Sequence, residues 1–238
     1  IDNRVTRPLL ELVTGIDKNA QLPHFHSKSL SSKKKKRNED LGKAAIDNGR
    51  KVAVYATCFV NYNNPHIGEA ARKVLAWNGV ETEVVFPGCC GMPQLEQGDL
   101  SRVTEHSRRI AEELNAWIDD GYDVVALVPS CALMLKFEWP LLSPNNEKIK
   151  KLSQRTFDIS EYVVALAREN GLVEGLKSLD GNVTFHVACH ARAQNMGQKG
   201  VEMLRLLPDT EITPIERCSG HGGSWGCLLY TSPSPRDR

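Results

Sequence analysis

The sequence predicts an α/β fold with a mostly parallel sheet covered by helices on both faces. From Arg50 onward, short β-branched runs alternate with longer amphipathic segments. Gly79, Gly121 and Gly171 stand where three of the amphipathic segments stop. Strand–helix alternation of this kind is the pattern of right-handed βαβ crossovers.

The strand candidates are 52–57, 81–86, 123–128, 183–188 and 211–215. The helix candidates between them include 67–77, 100–118, 159–168 and 199–206. The pattern occurs twice, with a break at 175–181, so the expectation is two tandem units, 49–178 and 179–226, the second truncated after two strands. Residues 1–48, with Pro8, Pro23 and the run Lys33 to Arg37, show little sustained apolar periodicity and read as a linker or arm. The Ser/Pro-rich end, 227–238, resembles a translated sequencing adapter, so it is set apart as a non-native tail and Cys227 is not counted as a natural ligand.

Composition narrows the function classes. Hydrophobic residues make up 41% of the 238, enough for a packed core, and 30 Lys and Arg balance 29 Asp and Glu. Such a balance offers no long-range attraction to nucleic acid. The longest apolar stretch, 124–135, is broken by Pro129 and Ser130 and falls short of the roughly 20 residues a membrane span needs. Seven cysteines are too few for a disulfide-dense secreted scaffold, so cytosolic thiols or metal ligands are expected.

Six of those cysteines follow predicted strands. Cys58 follows Val-Ala-Val-Tyr-Ala-Thr, Cys89 and Cys90 follow Val-Val-Phe-Pro-Gly, and Cys131 follows Val-Ala-Leu-Val-Pro-Ser; Cys189 and Cys218 begin to repeat the arrangement. In a parallel sheet all strand exits lie on one edge, where open α/β folds bind ligands. A lone cysteine after a strand is commonly a small buried hydrophobe; four at one edge point to chemistry. Zinc sites usually show Cys-x-x-Cys knuckles, absent here, and adjacent thiols fit one tetrahedral ion poorly. A multi-iron cluster can bind neighbouring thiolates at separate metal corners, so the Cys89–Cys90 pair favours iron–sulfur over zinc. Gly88 and Gly91 flank the pair, allowing close backbone approach and N–H contacts to sulfur.

The motifs Pro87-Gly-Cys-Cys-Gly-Met-Pro, Ser130-Cys-Ala-Leu-Met, Ala188-Cys-His-Ala-Arg-Ala-Gln and Arg217-Cys-Ser-Gly-His-Gly-Gly, with Cys58-Phe-Val-Asn-Tyr-Asn-Asn-Pro ahead of them, resemble the cysteine-rich, or CCG, domain family. That family includes the B subunit of heterodisulfide reductase and the C subunit of anaerobic glycerol-3-phosphate dehydrogenase, and the likeness covers 50–226. The resemblance implies tandem cysteine-rich domains that bind [4Fe-4S] clusters, often preceded by two ferredoxin-type modules. It implies an electron-transfer subunit of an oxidoreductase, working with a dehydrogenase or flavoprotein partner and a quinone or disulfide acceptor. The expected location is cytoplasmic, with peripheral attachment to the inner face of the membrane as an alternative. By motif position Cys58, Cys89, Cys90 and Cys131 are first-domain ligands, and Cys189 and Cys218 belong to the second. Val128 stands where many relatives have a further Cys, leaving four thiols rather than five and arguing against a non-cubane cluster. Ser219 replaces the second Cys of the repeated pair, so the second site is expected to be incomplete.

Two rival readings remain at this level: a zinc-stabilised, non-enzymatic interaction module, and thiol chemistry at Cys189 beside His190. His190 and His221 are candidates for an imidazole ligand, a proton-transfer group or a polar cap. His24, His26, His66, His106 and His186 are expected to be structural or surface residues, and Trp77, Trp117, Trp139 and Trp225 core packing.

Overall fold

The computed structural model describes residues 6–15, 17–19, 24–32 and 48–217. Cys218, Ser219, His221, Trp225, the Lys33 to Arg37 run and the 227–238 tail lie outside the described residues.

Four parallel strands form the main sheet: β1 (Lys51–Tyr55), β2 (Glu81–Val85), β3 (Asp123–Ala126) and β4 (Thr156–Asp158), in the spatial order β2-β1-β3-β4. The chain leaves β1 to one side for β2 and then returns to its other side for β3. A topological switch point therefore lies between the exits of β1 and β3, the place where doubly wound sheets open a ligand crevice.

Side-chain alternation builds a core on each face of this sheet. Ala53 and Tyr55 of β1, with Val124 and Ala126 of β3, pack against Ile110 and Leu114 of helix α4 (Leu100–Asp119) and against Ile149 and Leu152 of α7 (Glu147–Gln154). Val52, Val54 and Val125 face the other way, onto Leu75 of α2 (Pro65–Trp77) and Val163 and Leu166 of α8 (Ile159–Asn170). Because each β-branched run is buried on both sides, it reads as nearly continuous apolar sequence. The predicted helices on both faces are present.

Side-chain caps and left-handed glycines set the helix ends. Asp99 accepts from the Arg102 amide at the start of α4, Asn146 caps α7, and Asp158 forms a capping box with Glu161 at α8. Gly79, Gly121 and Gly171 all adopt positive φ where their helices stop, as predicted.

A second, two-stranded parallel sheet pairs β5 (Val183–His186) with β6 (Ile212–Ile215), beyond a stretch at 171–182 with no regular structure. Helices α9 (Cys189–Ala193) and α10 (Lys199–Leu204) accompany it. Arg168 of α8 pairs with Glu202 of α10 at 2.7 Å, tying this unit to the main sheet.

The N-terminal arm holds more structure than its composition suggested. Helix α1 (Thr6–Thr14) is amphipathic, and residues 24–32 are seated on the segment that follows Cys58. The His26 and Leu30 amides donate to Tyr62 and Asn61 carbonyls at 2.9 and 3.0 Å, and the Ser31 amide to the Asn61 side chain at 2.9 Å. Leu30 is buried in the core beside Val60 and Gly68. A Cβ at position 68 would lie 2.1 Å from Leu30 Cδ2. Gly68→Val is therefore expected to unseat the arm at a cost of about 1–3 kcal/mol, read as faster tryptic cleavage at Lys28; an unchanged rate would show that Leu30 is not the anchor.

Candidate metal centre

Cys58, Cys89, Cys90 and Cys131 are gathered at the carboxyl edge of the main sheet, around the β1/β3 switch point. They arrive by three different local devices, one after each of β1, β2 and β3.

Cys58 leaves β1 through Thr57, a buried β-branched residue with φ +51°. That conformation costs on the order of 1–3 kcal/mol. It turns the chain abruptly from strand into a π-helical turn, Phe59–Asn63, whose start Thr57 caps: its hydroxyl accepts from the Val60 amide at 3.2 Å and its carbonyl from the Asn61 amide at 2.9 Å. Cys58 sits at the head of that turn, half-buried.

Cys89 and Cys90 occupy the loop between β2 and the short helix α3 (Met92–Glu96). Gly88 (φ +153°) and Gly91 (φ +87°) bracket them, conformations that L side chains rarely adopt. Cys90 is buried and Cys89 half-buried. Cys131 follows β3 inside α5 (Pro129–Leu133), and its Sγ lies 3.1 Å from Cys90 Sγ. Cys89 in turn lies close enough to both Cys58 and Cys90 for their thiols to shift its ionisation. The four free thiols thus form a continuous chain, 58–89–90–131. Among the described residues no three His, Cys, Asp or Glu side chains are grouped so as to close on a single metal ion.

This sharing polarises the thiols. Cys89 is held far below the ordinary thiol range, first by the Cys58 hydrogen bond and then by that from Cys90, with the Gly91 amide and the charge of His106 assisting against partial burial. Cys58 is pushed up mainly by its hydrogen bond with Cys89 and by burial, and Cys90 by its bonds with Cys131 and Cys89 and by burial. Of Cys58, Cys89 and Cys90, Cys89 is therefore the thiol that ionises first. In metal-free protein, iodoacetamide should modify Cys89 at nearly the same rate at pH 6 as at pH 8. An ordinary thiol would slow roughly 50–100-fold over that interval as its thiolate fraction falls. Peptide mapping of the 89-containing fragment checks this, and an ordinary slowdown would refute it.

The donor set suits an iron–sulfur centre: four soft thiols from three strand exits, with the Gly91 amide donating to one of them. Tyr55, fully buried, lies among all four; burial above all, and then repulsion from any thiolate in this group, pushes its phenol well above the ordinary tyrosine range. Its hydroxyl donates to the Gly88 carbonyl at 2.6 Å.

Of the six cysteines singled out in the sequence, Cys189 stands apart, exposed at the start of α9. Its helix nevertheless docks on the same edge. His190 Nδ1 and Ser130 Oγ are 2.7 Å apart, joining the residue after Cys189 to the residue before Cys131. Gln194, which is buried, donates to the Pro129 carbonyl at 3.2 Å and to Asp158 at 3.3 Å, and the nearby Lys136 pairs with Glu161 at 2.6 Å. His186 makes a backbone contact with Arg217, and His24 stacks edge-on against His26, in line with structural and surface roles.

Tyr55, Arg109, Ser130 and Gln194 were missed because nothing in one sequence shows a hydroxyl or amide meeting a remote backbone group. Trp139, which opens the short helix α6 (Trp139–Leu142), was read as packing. It is fully buried, yet its indole N–H also donates to the Cys90 carbonyl at 3.0 Å. Trp77 departs from expectation: it lies beside the buried stripe of α2 and is 52% exposed.

The chain is 28% identical over 190 residues to lactate utilization protein A of Bacillus pumilus, covering 75% of this chain and 76% of that protein. It is 26% identical over 187 residues to the C subunit of anaerobic glycerol-3-phosphate dehydrogenase of Escherichia coli, covering 77% of this chain and 46% of the relative. It is 27% identical over 214 residues to the B subunit of fumarate reductase (CoM/CoB) of Methanothermobacter marburgensis, covering 84% of this chain and 40% of the relative. The match thus spans less than half the length of these last two. No solved structure matches the chain. The family model of the cysteine-rich domain, CCG, matches residues 52–136, the stretch that holds all four clustered thiols. The segment from residue 52 to residue 136 is a cysteine-rich domain of the CCG family.

Proposed function

We propose that this chain is an iron–sulfur electron-transfer subunit of an oxidoreductase, with Cys58, Cys89, Cys90 and Cys131 as ligands of a [4Fe-4S] cluster. The observation that carries this reading is the meeting of four free thiols from three separate strand exits at the sheet's switch point. Two relatives bearing oxidoreductase-subunit names support it. When bound, such a cluster supplies one-electron chemistry.

The chain's own residues would do three things. Buried Cys90, Cys131 and Tyr55 keep water from one side of the centre. Half-buried Cys58 and Cys89 leave the other side within reach of a redox partner. Cys89, the thiol that ionises most readily, would offer a first anionic ligand whose proton has already left before metal binds.

The reading extends to tandem units, 49–178 and 179–226, with Cys189 and Cys218 assigned to the second. It takes a dehydrogenase or flavoprotein partner as donor or acceptor, with a quinone or disulfide at the far end, and a cytoplasmic location or a peripheral one at the membrane's inner face. Among the described residues no helix is long and apolar enough to cross a membrane.

Anaerobic purification with iron, sulfide and zinc assay and EPR of the reduced protein tests it. Iron and sulfide in about equal amounts with a reducible EPR signal are expected. Stoichiometric zinc in a redox-silent protein would replace this reading with a zinc-stabilised interaction module.

A further inference from the structure

Three carbonyls of the cysteine turn are each capped by a side chain that sequence reasoning assigned no part in the site. Arg109 Nη1 donates to the Pro87 carbonyl at 3.0 Å, the Tyr55 hydroxyl to Gly88 at 2.6 Å, and the Trp139 indole to Cys90 at 3.0 Å. On the opposite side of the turn the Gly91 amide donates to Cys89 Sγ at 3.5 Å.

These two sets of contacts are linked by covalent geometry. A trans peptide unit is planar, and its C=O and N–H point in opposite directions. The Cys90 carbonyl held by Trp139 and the Gly91 amide aimed at Cys89 belong to one such unit, so fixing the first aims the second. Tyr55 and Arg109 hold the Gly88–Cys89 and Pro87–Gly88 units earlier in the same turn. Without these donors the turn would be poorly determined, because Gly88 and Gly91 leave the backbone free to rotate on both sides of the pair.

We propose that Tyr55, Arg109 and Trp139 are positioning residues that hold the Pro87, Gly88 and Cys90 carbonyls away from the sulfurs, aim the Gly91 amide at Cys89, and thereby set the reduction potential of the centre. The potential-setting part rests on the iron–sulfur reading above. Hydrogen bonds to cluster-bound sulfur favour the more negatively charged, reduced state. Losing an anchor therefore shifts the midpoint to more negative values.

The test uses Trp139→Phe, Tyr55→Phe and Arg109→Met, with Tyr122→Phe as the control for loss of a tyrosine hydroxyl bond, here to Glu81, away from the thiols. Arg109 is more than half exposed, so its variant stays informative even if a core variant folds poorly. Two quantities are read: the midpoint from an anaerobic EPR-monitored redox titration, and amide exchange of the 87–92 peptide in metal-free protein. Each anchor variant should keep wild-type iron and sulfide, titrate at a more negative midpoint and exchange the Gly91 amide faster, while Tyr122→Phe does neither. Wild-type midpoints in the anchor variants overturn the proposal, whether or not exchange changes. A wild-type chain that holds no iron removes the iron–sulfur reading and the potential-setting role together. Unchanged exchange in metal-free Arg109→Met and Tyr55→Phe separately overturns the anchoring itself.

Discussion

A Cys90→Ser chain is expected to fold and to lose its iron. Serine nearly matches cysteine in size, so the buried turn keeps its shape, but a hydroxyl stays protonated at neutral pH and is a hard, weak ligand for iron. Removal of a single orienting group around a metal already costs 10–100-fold in affinity, and loss of a direct ligand should cost at least about as much. Anaerobically prepared Cys90→Ser should thus carry less than roughly a tenth of the wild-type iron and sulfide, with far-UV circular dichroism unchanged. Cys189→Ser should leave the signal of the four-thiol centre intact, since Cys189 is exposed and apart from those thiols. Equal iron in wild type and Cys90→Ser would remove Cys90 from the centre.

The outcome turns on how the chain brings thiols 73 residues apart, at 58 and 131, to one edge, and that much was legible before any coordinates. Val52, Val54, Val124 and Val125 mark strands buried on both faces, and Gly79 and Gly121 mark where the intervening helices stop. With strands and stops located, right-handed crossovers leave the cysteines little choice of edge. Strand β4 was not legible: three residues, Thr156–Asp158, are too short for a period of two to register. The seating of Leu30 was hidden because a single apolar residue among serines and lysines has no periodicity; what decides its burial is the gap at Gly68 in a distant helix. The anchors of the cysteine turn were invisible for a related reason. Tyr55 lies in the alternation of β1 as any core residue would, and only the position of its hydroxyl against Gly88 sets it apart.

Trp139→Ala should be the most destabilising change at this site. The indole is fully buried in the core formed with α4 and α7, and truncation of such a ring costs about 3–5 kcal/mol through lost burial and the cavity left behind. Its hydrogen bond adds a second loss, because the Cys90 carbonyl would be left without its donor, a penalty of about 1–3 kcal/mol where water cannot substitute. A small domain has only about 5–15 kcal/mol of stability in total, so the variant should unfold at a much lower urea concentration with an unchanged m-value. Trp139→Phe separates the two contributions: it retains most of the apolar ring and forfeits the N–H, and should recover more than half of the lost stability. The π-helical turn Met134–Glu138 explains why the position is sensitive, since it delivers residue 139 from the helix carrying Cys131 back beneath Cys90. The core and the thiol centre thus share one side chain. A loss below about 1 kcal/mol in Trp139→Ala, the size of a typical surface or minor core change, would mean that the cysteine turn is held by the remaining donors and that the indole only fills space.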